Sequence, residues 1–304
     1  MRTITRNQTR FWLISTVLLC FVSYLVGQDE TSSTPVFKVR VDMIFLKVAV
    51  TDSSNRFVTG LKATDFRVYE DNVLQTISTF SQQSGPVSIG FVMDVSYSMR
   101  YSLNSAKGWF EQIVEKGRLH PDDEYFLITF NEKVRLVQSF SEKITELENM
   151  VALQQPGGDT ALVDAIYLGI YLCKNEGKNE KKALVVFTDG DDNNSRYSKY
   201  EVRQLAMESG VQIYILPMFN YGRPFLEDIA HFSGGRAEWP RFPGNQDLID
   251  RIHVELRNQY VLGYAPTNTA RDGKWREIKV KLDTPPDFPK LAVNTKSGYY
   301  APEN

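Results

Sequence analysis

Cysteine and histidine are scarce in this chain, with two of the first and three of the second among 304 residues. So few thiols exclude a disulfide-stapled scaffold, and packing has to supply the stability. The histidines, His120, His231 and His253, fall in expected loop or helix positions, away from the ends of the expected strands. Charge of either sign is not in excess: 35 basic residues stand against 37 acidic ones, for a net charge of −2. No global field therefore draws in nucleic acid or an anionic membrane, and no basic tract or aromatic stacking run points to nucleic acid. A Gly-x-Ser-x-Gly elbow and a Gly-x4-Gly-Lys phosphate loop are both missing. What is present is a globular composition, 42% hydrophobic and 24% charged, long enough for one large core or two smaller ones.

Residues 1–27 read as a secretory signal peptide. Arg2, Arg6 and Arg10 precede an apolar run from Phe11 to Val26, followed by Gly27-Gln28-Asp29-Glu30. That run is shorter than the roughly 20 residues a spanning helix needs. Leu25 is large for a residue so close to a cleavage point, so an uncleaved anchor is the competing reading and the only expected route to a membrane. Cys20 follows Leu19 rather than a small residue, which argues against lipidation. Cleavage leaves Cys173 as the one thiol, placed at helical spacing from Ile166 and Ile170 as a buried apolar group. An exported chain without disulfides points to a bacterial secreted, periplasmic or cell-envelope protein.

Residues 28–35 are polar, end in Pro35 and read as a linker. From Phe37 the apolar positions alternate, then change phase near Met43 to Leu46, which predicts a bulge or a stretch buried on both faces. Phe66 to Tyr69 and Val73 to Phe80 read as a strand pair joined at Glu70-Asp71-Asn72. Towards the other end, Gln259 to Tyr264 and Trp275 to Leu282 read as strands, with turn chemistry in Arg271-Asp272-Gly273-Lys274, and Leu291 to Val293, then Tyr299 and Tyr300, add a last one. Neither flank alone buries enough apolar surface for an independent sheet. The two are expected to pair as one β-sandwich, residues 36–83 with 258–300, around an inserted domain at 86–257.

That central region alternates between strands and helices. Val87 to Met93, Glu124 to Phe130, Val134 to Val137, Leu184 to Thr188 and Val211 to Pro217 are apolar strand runs. Helices are expected from Ser102, which is placed to cap, over Thr160 to Lys174, apolar nearly all round, and over Gln246 to Asn258. The fold class is therefore α/β, a doubly wound, mainly parallel sheet, whose ligand crevice lies at the carboxyl ends of the strands.

Five oxygen-bearing residues fall at those ends or at a helix entrance. Asp94, Ser96 and Ser98 follow the first central strand in Met93-Asp94-Val95-Ser96-Tyr97-Ser98. Thr160 lies in Gly157-Gly158-Asp159-Thr160, and Asp189 closes Val186-Phe187-Thr188-Asp189-Gly190. Hydroxyls and carboxylates suit a hard divalent cation, Mg2+ or else Ca2+ or Mn2+, and disfavour zinc and copper. Each piece alone reads as a turn or cap; their joint order carries the signal. Asp191 and Asp192 read as solvated loop residues.

Asp-x-Ser-x-Ser, a Gly-Gly-x-Thr helix entrance and a strand ending in Thr-Asp-Gly together resemble the von Willebrand factor A-type domain, over about Pro86 to Arg257. The resemblance implies a metal-ion-dependent adhesion site in which Ser96, Ser98 and Thr160 coordinate the ion and Asp94 and Asp189 act mostly through water. Val50 to Asp52 and Gly60 to Asp71 look like the bacterial group related to that domain. The expected activity is recognition: a partner protein's aspartate or glutamate fills an open position on the ion. Tyr97, Met99, Arg100, Tyr101 and Asn193 are the expected partner-binding residues, aromatics and arginine being the types that dominate interface energies. The alternatives are a metal-dependent hydrolase, for which no strong base or second metal is evident, and a structural envelope module.

Overall fold

The computed structural model describes residues 43–303, apart from 55, 118–119, 220, 240–251, 253–254 and 284–290. The expected signal peptide, the linker, most of the first alternating run and most of the expected closing helix lie outside the described residues; of that helix, residues 252 and 255–257 are helical.

The described residues open with β1 (Ile44–Thr51), β2 (Phe66–Glu70), β3 (Val73–Gln75) and β4 (Ile77–Ser84). An α/β stretch follows: β5 (Val87–Asp94), α1 (Leu103–Gly117), β6 (Glu124–Phe130), β7 (Val134–Ser141), α2 (Ile144–Ala152), α3 (Leu162–Glu176), β8 (Lys181–Thr188), α4 (Lys199–Ser209), β9 (Gln212–Pro217), α5 (Arg223–Ser233) and β10 (Arg236–Ala237). It closes with β11 (Asn258–Tyr264), β12 (Trp275–Leu282), β13 (Ala292–Asn294) and β14 (Gly298–Tyr300).

The central strands form a six-stranded sheet in the order β10-β9-β8-β5-β6-β7, parallel except for β7, which runs antiparallel to β6. Strands buried on both faces read as continuous apolar runs, and their period-2 alternation still divides the residues between two cores. Phe91, Met93, Val185 and Phe187 pack on α1 through Phe110 and Ile113 on one face. Val92, Leu184 and Val186 pack on α3 through Ile166 and Ile170 on the other. Gly90, in the middle of β5, lies where a Cβ would stand 2.1 Å from Phe126 Cζ and 2.8 Å from Leu184 Cδ1; the absence of a side chain is what lets that layer close.

The flanks pair with each other. One four-stranded sheet runs β13-β1-β11-β4 and the other β14-β12-β2-β3, so each interleaves strands from both ends of the chain. Leu46, Val48 and Val50 of β1 meet Phe66 and Val68 of β2, with Tyr260, Leu262, Tyr264 and Ile278, in a third core. The buried Tyr260 hydroxyl donates to Val58 O at 2.8 Å and accepts from Leu61 N at 3.2 Å, tying the chain between β1 and β2 to β11. Asp71 and Asn72 form the β2–β3 turn with φ of 48° and 66°, the left-handed pair that a tight two-residue hairpin requires.

Three details differ from the sequence expectation. Val73 to Phe80 is not one strand: β3 pairs with β2 in one sheet, while β4 pairs with β11 in the other. The last strand is likewise split between the two sheets, as β13 and β14. Ser102 does not cap α1, because its hydroxyl turns back to Met99 O at 3.4 Å.

Hydrogen bonds join the sandwich to the parallel sheet below the amino ends of its strands. Gln259 Nε2 donates to Gln212 Oε1 at 2.6 Å, Lys47 Nζ to Gly210 O at 3.3 Å, and Asn294 Nδ2 to Gly234 O at 3.2 Å. Arg257 pairs with the buried Asp123 carboxylate.

Replacing Gly90 with alanine should destabilise the protein by about 1–3 kcal/mol through overpacking, seen as a lower urea midpoint at unchanged slope. Cys173 is wholly buried in α3 and burial pushes its thiol well above the ordinary range. It should resist a thiol reagent until the chain is unfolded in denaturant; fast labelling of the native protein would contradict this placement.

Candidate functional site

Parallel pairing sets the carboxyl ends of β5 and β8 side by side, with Met93 opposite Phe187. The residues that follow, Asp94 and Thr188, are both fully buried, and the Thr188 hydroxyl donates to Asp94 Oδ2 at 2.8 Å. Asp94 Oδ1 accepts from Ser96 N at 2.9 Å and from Ser96 Oγ at 2.6 Å. Ser98, in a 3-10 turn at Tyr97–Tyr101, stands with its Oγ 3.0 Å from Ser96 Oγ. The Asp-x-Ser-x-Ser spacing thus becomes a tight turn in which both hydroxyls reach one side of the strand end.

The helix entrance joins the same place through its backbone. Gly157 N donates to Val95 O at 2.8 Å and Tyr97 N to Gly158 O at 3.0 Å, holding the Gly157-Gly158 loop against the Ser96 turn. Thr160, 2% exposed, is gripped from the loop after β8. Its amide donates to Asn193 Oδ1 at 2.9 Å, and its carbonyl accepts from Asn193 N and Asn194 N at 3.0 and 2.9 Å. Asn131 braces the other side, its Nδ2 donating to Gly157 O at 3.0 Å.

Asp189, 1% exposed, follows Thr188 and accepts Asp191 N on Oδ1 at 3.1 Å. Its Oδ2 is buried with no hydrogen-bond partner among the described residues. Gly190 turns the chain with φ 91°, and a Cβ there would lie 2.0 Å from Tyr221 O. The final glycine of Thr-Asp-Gly therefore answers to a close approach by the loop after β9.

Burial drives the Asp94 carboxyl up to about 7; the hydrogen bonds from Ser96 oppose that rise, and the negative charge of Asp189 adds to it. Two buried carboxylates near enough to repel, one with an unpaired oxygen, meet at these strand ends, where the Ser96 and Thr188 hydroxyls bond to Asp94 and the Ser98 hydroxyl lies against that of Ser96. Such a place is short of positive charge. Among the described residues no group of three or more histidine, cysteine or carboxylate side chains could hold a metal ion, so a cation here would need hydroxyl oxygens beside the carboxylates.

The expected partner-binding residues separate. Tyr97 and Tyr101 are 61% and 81% exposed, and the Arg100 guanidinium lies 4.6 Å and 4.4 Å from their ring centroids. Met99 is 0% exposed and belongs to the core, which corrects its expected contact with a partner: the turn that presents Ser98 outwards points the next side chain in. Asn193 spends its side-chain oxygen on Thr160.

Thr188 matters here and carried no assigned role in the sequence. Asp192, expected as a solvated loop residue, instead supports a cap with Ser195: Ser195 Oγ donates to Asp192 Oδ1 at 2.6 Å and accepts from Val163 N at 3.0 Å, capping α3 from the β8 loop. Asp164 returns the contact, accepting Arg196 N and Tyr197 N at 2.8 and 2.9 Å. The signal for this was the polar run after Asp189, a cap supplied by a segment distant in sequence. His120 lies just before β6 and His231 in the last turn of α5, neither at the strand ends; His253 lies outside the described residues.

A family model for the von Willebrand factor type A domain matches residues 89–191, the stretch that holds all five oxygen-bearing residues. Among solved structures, a von Willebrand factor type A protein from Catenulispora acidiphila is 10% identical, with a TM-score of 0.51 over 84% of this chain and 73% of that one. The conserved hypothetical protein BatB from Bacteroides thetaiotaomicron is 17% identical, with a TM-score of 0.48 over 56% and 97%. Proximal thread matrix protein 1 from the mussel byssus, solved with a zinc-occupied adhesion motif, is 18% identical, with a TM-score of 0.49 over 60% and 49%. At 10% identity the likeness to the Catenulispora protein is one of fold. A comparison with curated proteins finds no match.

Replacing Thr188 with valine removes the donor to Asp94 and the acceptor of Gly190 N, 3.0 Å away. Leaving those buried groups unpaired should cost about 1–3 kcal/mol, measurable as a fall in the urea midpoint.

Proposed function

We propose that this protein is an exported recognition module which holds a hard divalent cation, Mg2+ or else Ca2+ or Mn2+, and through it captures an aspartate or glutamate of a partner protein. The observation that carries the reading is the unpaired, buried Asp189 Oδ2 beside the equally buried Asp94 carboxylate. Positive charge is what that pair lacks, and the neighbouring hydroxyls of Ser96, Ser98 and Thr160 complete an all-oxygen set of the kind that hard cations prefer. When bound, the ion would offer an acidic oxygen a directed electrostatic contact. The domain limits are proposed at 86–257, inserted between 36–83 and 258–300.

The chain's own part is orientation. Thr188 and the Ser96 amide fix the Asp94 carboxylate, and Asn193 and Asn194 fix the backbone of Thr160, so that the donors stand in place before a partner arrives; donors already in place lower the ordering cost of binding. Around them, Tyr97, Arg100 and Tyr101 form an exposed rim. A guanidinium lying against two rings is preorganised for a partner surface, and residues of these types carry a disproportionate share of contact energy. Nothing need be transformed for this work.

Calorimetric titration of the full chain with Mn2+ and Mg2+ tests the first half. One cation should bind the wild type, and Asp94→Asn or Ser96→Ala should weaken it by at least about tenfold, the loss expected from one charge-assisted contact, without loss of the folded circular dichroism signal. Peptides bearing an exposed aspartate should be retained by the immobilised protein only with the metal present and should be lost when that residue is asparagine. A wild type that takes up no divalent ion, zinc included, would end the proposal.

A further inference from the structure

Away from the strand ends, one wall of helix α4 and the carboxyl-terminal strand β14 enclose a cleft of about 420 Å³. Tyr200, Gln204 and Glu208 recur every fourth residue along α4 and so form a single stripe on its surface. Tyr300 and Glu303 line the facing wall. The two walls touch where Gln204 Nε2 donates to the Tyr300 hydroxyl at 3.3 Å, and Trp275 packs edge-on against the Tyr300 ring at 5.2 Å. The aromatic wall is thereby held in position from behind, while Tyr200 across from it is 66% exposed.

The lining is one-sided in charge. Glu208 and Glu303 contribute two carboxylates, and no lysine, arginine or histidine lines the cleft. Neither acid takes part in an ion pair among the described residues, although the chain as a whole carries nearly as many bases as acids. The amide of Gln204 gives its nitrogen to Tyr300, which leaves its oxygen to accept. Acceptors and tyrosine faces without a donor of positive charge are the complement of an ammonium group on an apolar stem: the rings attract the cation and cover the methylenes, and the carboxylates take its N–H groups.

We infer that this cleft binds a primary alkylammonium group, the chemistry of a lysine side chain or of a free polyamine. The site is separate from the proposed cation site and shares no residue with it. A ligand there would touch both the parallel-sheet unit, through α4, and the sandwich, through β14, and would brace one against the other.

The test uses the full chain and three probes in calorimetric titration: Nα-acetyl-lysine methylamide, the norleucine compound of the same shape without the charge, and spermidine. The lysine probe should bind and the norleucine probe should not. Binding should weaken as salt rises, and Glu208→Gln and Glu303→Gln should each lower affinity by about tenfold, as expected for loss of a charged acceptor, with thermal melting unchanged. Tighter binding of the lysine probe than of spermidine identifies a protein partner as the source, and the reverse a free amine; both uphold the inference. Equal binding of the norleucine probe, undiminished lysine binding in both variants, or no binding of any probe overturns it.

Discussion

A carboxylate buried at the end of a central strand is the constraint on which the rest of this structure turns. Asp94 is taken out of water at a cost that only hydrogen bonds or positive charge can offset. Ser96 supplies two of those bonds from two residues along the chain, and Thr188 supplies one from the neighbouring strand. Because the Thr188 hydroxyl also accepts from Gly190, the same few atoms set the start of the loop that carries Asp189. That loop then reaches Thr160 and the entrance of α3 through Asn193, Asp192 and Ser195. Three segments far apart in sequence are thus welded by polar contacts into one rigid rim.

The sandwich addresses a different problem. An α/β sheet that emits and receives its chain at the same end leaves two short β segments, neither able to bury its apolar face alone. Interleaving them, with β11 between β1 and β4 and β12 between β14 and β2, makes each sheet depend on both ends of the chain. The contacts between Gln259 and Gln212, and between Lys47 and Gly210, then hold this layer under the amino ends of the parallel strands. The loops at the carboxyl ends are left uncovered by it. Exposed aromatics collect there: Tyr97, Tyr101, Tyr197, Phe219 and Tyr221 all lie in segments that follow β5, β8 or β9.

Much of this was legible in the residues. The alternation of apolar runs with helical spacing marked a parallel sheet, the matching incompleteness of the flanks marked their pairing, and Asp71-Asn72 marked a tight turn. The order of the oxygen-bearing motifs located the candidate site, because each follows a strand end or opens a helix. Less was legible where one residue's role depends on a distant partner. Nothing near Asp192 or Ser195 in sequence says that the amino end of α3 is waiting for them, and Met99 looked like its exposed neighbours until the turn at Tyr97 rotated it into the core. The break between β3 and β4 was hidden for the same reason: Val73 to Phe80 has strand composition throughout, and only the presence of two sheets to join decides that the chain crosses from one to the other at Thr76.

By itself, then, the sequence determined the central strands, the helices α1 and α3 and the oxygen-bearing side chains that follow those strands, since periodicity and turn chemistry are local properties. Tertiary structure alone decided that Thr188 would hold Asp94, that Asp189 would keep an oxygen unpaired, and that α4 and β14 would enclose a cleft lined by acids without a base. Each of those outcomes is a distance between atoms separated by many residues, and such distances exist only once the cores on both faces of the sheet have closed.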